Sequence, residues 1–221
     1  KSLNLRLNED KTSCILMGSK RQNLDIRREL DMNPLMCGGF ETKLKEKFKW
    51  LGQVLSSGGL SESVTATIED REGKIRGACL EIGQVVNDWR SQAVGGMDTA
   101  LLLWESCCIP SLLHGAGTWT DITAATEKKL NTIQNWYFRL VYQLGPGASC
   151  AALLWDTITL DMIFRIWIEK ILLVLAIRNL DENTIANKIY KEQKSNKWPG
   201  LATETKKICQ ELGIQDCNET F

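Results

Sequence analysis

The chain has 221 residues, enough for one large or two small domains, and 43% of them are hydrophobic, as in a globular protein with a buried core. Its longest strongly apolar run, residues 171–177, is too short for a membrane span, which needs ~20 residues. Lys/Arg and Asp/Glu balance at 27 each, whereas a dedicated nucleic-acid-binding protein is usually more basic. The distribution is uneven, with net +4 over residues 1–57 and net −4 over residues 58–120.

The N-terminal part of the chain has the pattern of short strands. Residues 12–17 form an apolar run, and residues 43–55 return to a strand pattern. Residues 20–42 between them are polar and are interrupted by Asn33-Pro34, which predicts a long loop with at most one helical turn. Because this loop shows no crossover helix, we expect the strands to pair antiparallel.

A long amphipathic helix follows the glycine pair Gly58-Gly59. Its apolar residues step by three and four and therefore line one face. They are Val64, Ile68, Ile75, Cys79, Ile82, Val86 and Trp89. Charged residues fill the other face, where Glu72 and Arg76 stand one turn apart with the acid first, the more favourable order.

Helical patterns occupy the rest of the chain. They lie at residues 97–113, 123–144, 161–178, 184–194 and 201–212. The first of these is apolar on nearly every side, which predicts a core helix that Pro110 ends or kinks. Asp121 or Thr123 is expected to cap the next helix. The sequence therefore predicts a mainly α protein with a small antiparallel β-sheet at its N-terminus.

The eight cysteines include no C-x-x-C pair, and His114 is the single histidine. A zinc site is therefore not expected, and we interpret the cysteines as reduced, free thiols of an intracellular protein.

Three stretches of the chain occur in a distinctive order: residues 7–12 (Leu-Asn-Glu-Asp-Lys-Thr), residues 48–52 (Phe-Lys-Trp-Leu-Gly) and residues 109–119 (Ile-Pro-Ser-Leu-Leu-His-Gly-Ala-Gly-Thr-Trp). Together they resemble the C-terminal part of the reverse transcriptase of non-LTR (LINE-type) retrotransposons. The matching family motifs are L-x-x-N-x-x-K-T in the palm, F-K-Y-L-G in the primer-grip hairpin and I-P-x-L-x-Y-G-x-x-T-W further on. Trp50 and His114 replace two family tyrosines.

This resemblance implies three regions: the end of a palm with a primer-grip-like hairpin (1–57), a thumb-like helical domain (58–145) and a helical linker region (146–221). It implies a template–primer binding role, with an RNA–DNA or DNA duplex held weakly and the remaining polymerase domains lying upstream. The protein would be nuclear or cytoplasmic and would not bind a membrane. The alternative is a helical protein-interaction module derived from a retrotransposon, without nucleic-acid binding.

The family's catalytic aspartates lie upstream, in motifs that end in an aromatic-x-D-D turn, and this chain contains no such tetrapeptide. Two-metal chemistry needs converging carboxylates. We therefore expect no catalytic residue, no bound metal and no cofactor in this chain, which would be inactive alone, with Mg²⁺ needed only by an intact polymerase. Lys11 matches a palm lysine near the incoming nucleotide's phosphates, although it also fits a solvated turn beside Glu9 and Asp10.

The resemblance places nucleic-acid-binding residues on two elements. They are Phe48, Lys49, Trp50 and Gly52 of the hairpin, and Arg71, Lys74 and Arg76 of the first thumb-like helix. For the hairpin, the alternative is that Phe48 and Trp50 simply pack in the core. For the helix, it is a solvated face whose cations pair with its own acids.

Some residues favour structure over function. Lys128, Lys129 and Arg139 form a second, weaker basic set with the same alternative of internal pairing. His114 has no evident Ser or Cys partner and is interpreted as structural. Trp104, Trp119, Trp136, Trp155 and Trp167 offer rings for base stacking, but their Leu- and Ile-rich helices favour core positions.

Overall fold

The computed structural model describes residues 12–17, 20–91, 96–196 and 200–214. Helices dominate these residues, so the predicted mainly α fold with small sheets is confirmed. The chain divides into two compact units, one ending at Asp70 and one beginning at Arg71. We describe each unit by itself, and the region boundaries at 57 and 145 stay predictions.

The first unit contains short strands, one complete helix and the start of a second helix. The elements are β1 (Ser13–Cys14), α1 (Lys20–Met32), β2 (Met36–Cys37), β3 (Phe40–Glu41), β4 (Lys43–Leu44), β5 (Lys47–Trp50), β6 (Gln53–Ser56) and the beginning of α2 (Leu60–Ser91). They form three two-stranded sheets, of which β2–β3 and β5–β6 are antiparallel.

The pairing of β1 with β4 is parallel, so the expectation of antiparallel pairing is wrong there. The expected loop at residues 20–42 is also wrong, because α1 occupies 13 of these residues. A parallel pair needs a crossover connection, usually a helix, and α1 lies in this connection. Of its four apolar residues, Leu24, Ile26 and Met32 are exposed and Leu30 is half-buried, so the helix has no broad apolar stripe.

The β5–β6 hairpin is anchored to the first turns of α2 by side-chain hydroxyls. The Val54 backbone N–H donates to Thr67 Oγ1 and the Ser56 N–H donates to Ser63 Oγ, both at 2.8 Å. Val54, Ser56, Ser63 and Thr67 are all buried. The outer edge of β6 is therefore satisfied by helix side chains instead of another strand.

The second unit continues α2 and is otherwise built of helices. They are α3 (Gly96–Leu103), a π-helical segment (Trp104–Cys108), α4 (Ile109–Leu113), a 3₁₀ turn (Ala116–Thr118), α5 (Ala124–Tyr142), α6 (Cys150–Asp156), α7 (Met162–Arg178), α8 (Ile185–Asn196) and α9 (Leu201–Glu211). Thr123, not Asp121, caps α5 by accepting a hydrogen bond from the Thr126 backbone N–H. The short helix α6 was not predicted.

The predicted interruption at Pro110 takes the form of a widened turn. In the π-helical segment before it, the Ile109 N–H bonds the carbonyl of Trp104, five residues back. Pro110 is the second residue of α4 and directly follows the widened turn, where the regular ladder of helical hydrogen bonds is interrupted. The widened turn lets the chain pass the proline and remain helical.

The core of the second unit is centred on three aromatic rings. Trp104, Tyr137 and Phe138 have no exposed surface, and the Trp104 and Tyr137 rings stack with centroids 4.6 Å apart. The Tyr137 hydroxyl donates to the Ala100 carbonyl at 2.6 Å. Burial raises the pKa of Tyr137, so this hydroxyl stays neutral and able to donate. The three rings tie α5 to α3 and the π-helical segment.

A buried ion pair joins α7 to α9. The Lys170 ammonium, on a residue only 3% exposed, binds the Glu204 carboxylate. The other oxygen of Glu204 accepts the Asp121 backbone N–H at 3.0 Å. One carboxylate thus connects α7, α9 and the segment that precedes α5.

The cysteines only partly match the expectation of free thiols. Among the described residues, the free cysteines are Cys14, Cys37, Cys79, Cys107, Cys108 and Cys150. Cys209 is disulfide-bonded, so the expectation is wrong at that position. Cys79 and Cys108 are buried with their sulfurs 3.8 Å apart, and this hydrogen bond together with burial raises the pKa of Cys79.

Across the described ranges, no helix is both long enough and apolar enough to cross a membrane.

Trp104→Ala should lower the free energy of unfolding by about 3–5 kcal/mol, because it removes a fully buried, stacked ring. Trp155→Ala is the matched control: this ring is 84% exposed, which corrects the expected core position, and its loss should change stability by less than about 0.5 kcal/mol. The sequence pattern alone predicts the same large loss of unfolding free energy for Trp136→Ala and Trp167→Ala, but both residues are only half-buried. Urea unfolding would measure all four variants, and equal losses at Trp104 and Trp155 would contradict the core assignment.

Glu204→Ala should lower the free energy of unfolding by about 3–5 kcal/mol, because it leaves the buried Lys170 ammonium without a counter-charge. Adding Lys170→Met should recover most of this loss, because the unpaired charge is then removed. Chemical denaturation of the single and double variants measures the difference. A double variant no more stable than Glu204→Ala would show that the ion pair is not the cause.

Candidate nucleic-acid interface

The motif at residues 48–52 forms the tip of the β5–β6 hairpin. Trp50 pairs with Gln53 across a two-residue turn in which Leu51 and Gly52 both have positive φ, 46° and 78°. This is the turn that matches the twist of paired strands. Gly52 adopts it without strain, whereas Leu51 does not. The turn leaves Leu51 71% exposed and Trp50 58% exposed.

The two faces of the hairpin differ. Lys47 and Lys49 pair across the sheet with Ser56 and Val54, whose buried side chains lie on the face toward α2. Phe48 and Trp50 alternate with the lysines and therefore lie on the opposite face. Phe48 is half-buried and Trp50 is exposed, so the alternative of a buried aromatic pair fails at Trp50.

Lysines occupy every second position from 43 to 49, with Lys43 on β4, Lys45 between the strands and Lys47 and Lys49 on β5, and all four are exposed. The Lys49 ammonium lies 2.5 Å from Asp70 Oδ2, so its charge is partly compensated. Within the described residues, no ion pair involves Lys43, Lys45 or Lys47, and the neighbouring carboxylate of Glu46 is bound to Arg27. These three lysines, which we call the lysine row, were not singled out by the sequence analysis. Their period-two spacing was the available signal.

Arg71 was expected on the solvent-facing side of the first thumb-like helix, and this placement is wrong. The residue is only 7% exposed, and its Nη1 donates to the carbonyls of Leu112 and His114 at 2.8 and 2.9 Å. Its guanidinium also lies over the Trp119 ring, 5.8 Å from the centroid. A guanidinium held by two carbonyls at the end of α4 is a structural group that does not face solvent.

The other two cations predicted on this helix have different environments. Arg76 Nε donates to Glu72 Oε1 at 2.9 Å, and its guanidinium stacks on Trp136, 4.7 Å from the ring centroid. The predicted Glu72–Arg76 pair is thus confirmed. At Arg76, the cation pairs with an acid of its own helix, which was the alternative to a nucleic-acid contact. Lys74 is exposed.

Two cations of the second basic set also have internal roles. Lys129 lies 3.5 Å from the same Glu72 carboxylate. Arg139 donates to the Ala148 carbonyl at 3.0 Å and to Cys150 Sγ at 3.2 Å, which fixes the segment before α6. Lys128 is exposed. For Lys129 and Arg139, internal contacts therefore account for the charge.

The single histidine is exposed but contributes its backbone carbonyl to the Arg71 contact. The predicted phosphate-side lysine, Lys11, lies outside the described residues. Among the residues that the structure does describe, no group of three His, Cys, Asp or Glu side chains is arranged to hold a metal ion.

Comparisons with protein-family models, with curated proteins and with solved structures found no match for this chain.

Arg71→Met should lower the free energy of unfolding by about 2–4 kcal/mol, because two carbonyls at the end of α4 lose a charged hydrogen-bond donor. Lys128→Met provides the control: it removes a cation from an exposed helix position and should change stability by less than about 0.5 kcal/mol. Urea unfolding monitored by far-UV circular dichroism measures both variants. Equal stability of the Arg71 variant and wild type would return Arg71 to the list of candidate phosphate contacts.

Proposed function

We propose that this chain is the template–primer binding portion of a LINE-type reverse transcriptase, comprising the end of the palm, the primer-grip hairpin and the thumb. The observation that supports it most is the Phe-Lys-Trp-Leu-Gly motif. These residues form a tight hairpin that exposes Trp50 on one face and Lys47 of the lysine row on the other. The order of the three family-like motifs gives independent support.

The lysine row supplies the electrostatic part of the proposal. Three exposed ammonium groups without carboxylate partners in the described chain can contact the phosphates of a duplex. Such contacts give affinity and position without sequence preference. Lys49 belongs to the same surface, but its pairing with Asp70 reduces its share.

Trp50 supplies the non-ionic part. An exposed indole at a hairpin tip can stack on a terminal base or an unpaired base, an interaction worth ~1–3 kcal/mol per base. Gly52 has no side chain to obstruct a strand that approaches the turn. Phe48 is half-buried and supports the hairpin from the same face.

Binding should be weak. Arg71 is buried, Arg76 is held by Glu72, and the charges of the whole chain cancel. Few released counterions imply a Kd near the non-specific range of ~10⁻⁴–10⁻⁶ M at physiological salt. In this proposal the catalytic aspartates and their Mg²⁺ belong to upstream polymerase domains, and the protein acts inside the cell, in the nucleus or the cytoplasm.

Titration of a short RNA–DNA duplex, followed by fluorescence anisotropy at several salt concentrations, tests the proposal. Replacing Lys43, Lys45 and Lys47 together with Gln should reduce the slope of log affinity against log salt by about 2–3, because ~0.9 is lost per phosphate contact on B-form DNA. The matched control replaces three exposed lysines of α8 and α9 that have no ion pair in the described chain, Lys188, Lys206 and Lys207. Its slope should equal that of wild type.

Trp50→Ala in the same titration should weaken binding by roughly tenfold while leaving the salt slope unchanged, because stacking releases no counterions. Equal binding by wild type and the lysine-row variant would show that the proposed surface is wrong. No binding by wild type at low salt would defeat the nucleic-acid proposal for this chain.

A second candidate function is that of a helical protein-interaction module. The observation in its favour is a set of exposed apolar side chains between α6 and the middle of α7. They are Trp155, Ile158, Leu160, Phe164, Ile168 and Leu172. Large contiguous apolar patches are rare on the surfaces of soluble monomers, and where they occur they often mark protein–protein interaction sites.

A further inference from the structure

Two buried thiols of the second unit lie in contact. Cys79 belongs to α2 and has no exposed surface, and Cys108 ends the π-helical segment and is 1% exposed. Their sulfurs are 3.8 Å apart, although the two residues are 29 apart in sequence. A single buried cysteine packs as a small apolar residue. Two thiols in contact can in addition be oxidised to a disulfide, which neither of them could form alone.

The contact between the thiols lies beside the one that Arg71 makes. Arg71 of α2 donates to the carbonyls of Leu112 and His114. Cys79 stands about two turns further along α2, whereas Cys108 stands about one turn before Leu112. α2 and the stretch that contains the widened turn and α4 therefore run in opposite directions and touch at two levels. At one level the contact is made by a guanidinium and two carbonyls, and at the other by two thiols.

The hydrogen bond between the sulfurs makes the two thiols chemically unequal. With Cys79 as the donor, this bond lowers the pKa of Cys108 and outweighs the opposite effect of burial. The same bond, together with burial, raises the pKa of Cys79. Because the thiolate is the reactive form of cysteine, Cys108 is the sulfur that reacts first with an oxidant. Cys79 is placed to react second.

We propose that Cys79 and Cys108 are a redox-sensitive pair, which a hydroperoxide converts into a disulfide that joins α2 to the turn before α4. With hydrogen peroxide, the Cys108 thiolate attacks one oxygen and the O–O bond breaks. This step forms a sulfenic acid and a hydroxide, which takes up the proton that Cys108 had lost. The Cys79 sulfur then attacks the sulfenic sulfur, so that the S–S bond forms, the S–O bond breaks and a second water leaves with the Cys79 proton. Two electrons pass from the two thiols to one peroxide, and exchange with a thiol reductant reverses the change.

The geometry requires only a small movement. A disulfide bond is ~2.05 Å long, so the two sulfurs must approach each other by less than about 2 Å. Rotation of a cysteine side chain about its Cα–Cβ bond moves the sulfur over a distance of this order. Because both sulfurs are buried, the oxidant reaches them during local opening, and a small uncharged peroxide is suited to this.

The widened turn gives separate support. It ends at Cys108, and single π-helical turns are frequent at functional sites. The inference goes beyond the proposed function and does not depend on duplex binding.

Peptide mapping of the full chain tests the disulfide. The protein is reduced with dithiothreitol, freed of reductant, treated with hydrogen peroxide, alkylated and digested with trypsin. We expect a cross-link between the peptide of residues 77–90, which contains Cys79, and the peptide of residues 91–128, which contains Cys107 and Cys108. Reduction of the digest should remove this cross-link.

Cys107→Ser is the matched control, because Cys107 is exposed and lies on the same peptide as Cys108. This variant should form the cross-link as wild type does, whereas Cys108→Ala should not form it. The control also identifies the sulfur directly, since Cys108 is then the one cysteine of its peptide. The result therefore holds even if Cys108→Ala fails to fold, which circular dichroism of the reduced variants checks.

Thermal unfolding tests whether the disulfide joins the two elements. A cross-link between residues 29 apart restricts the unfolded chain more than the folded one. Oxidation should therefore raise the Tm of wild type and of Cys107→Ser by about 5–10 °C more than that of Cys79→Ala and Cys108→Ala. The two Ala variants account for any shift that comes from the disulfide of Cys209.

Three results would overturn the proposal. The first is a wild type that gives no cross-link between the two peptides. The second is a cross-link that is lost in Cys107→Ser and kept in Cys108→Ala, because Cys107 would then be the partner of Cys79. The third is a cross-linked protein whose Tm rises no more than that of the Ala variants, because the disulfide would then not stabilise the contact between α2 and the turn before α4.

Discussion

A buried guanidinium organises the second unit. Arg71 enters the core as a permanent positive charge, which is tolerated only when it is fully hydrogen-bonded. The acceptors are the Leu112 and His114 carbonyls, freed because α4 ends at this point. The partial negative charge of a helix C-terminus favours the cation further. The following turn packs so closely on α7 that a Cβ on Gly117 would lie 2.9 Å from the Glu169 carbonyl.

Because Arg71 is buried, it is not among the cations that can contact a ligand at the surface. The resemblance places the cations of a nucleic-acid surface on α2, but two of the three are committed to internal contacts. The lysine row lies on β4, on β5 and between them, where the whole stretch from Lys43 to Lys47 is exposed. The hairpin has one edge closed by Ser63 and Thr67 and a tip that presents Trp50, so its exposed groups are held by a rigid support.

The second unit also exposes apolar side chains, on the outer side of α7. α7 is apolar almost all round, and such a helix is normally surrounded by protein. Its inner side packs in the core, but its outer stripe is exposed in the isolated chain. This outer stripe is a surface that another protein chain can cover.

The sequence by itself determined the elements whose signals are local. The three-four spacing of apolar residues placed α2 and α5, and the two candidate caps of α5, Asp121 and Thr123, included the residue that caps it, Thr123. Only the tertiary structure decided what covers each face. Trp104 and Trp155 both lie in apolar helical segments, yet one is buried by α5 and the other faces solvent. Arg71 was assigned to the polar side and is buried, and α1 was missed because its four apolar residues form no broad stripe. Periodicity fixes which side chains share a face, whereas contacts between residues distant in sequence determine which faces are buried.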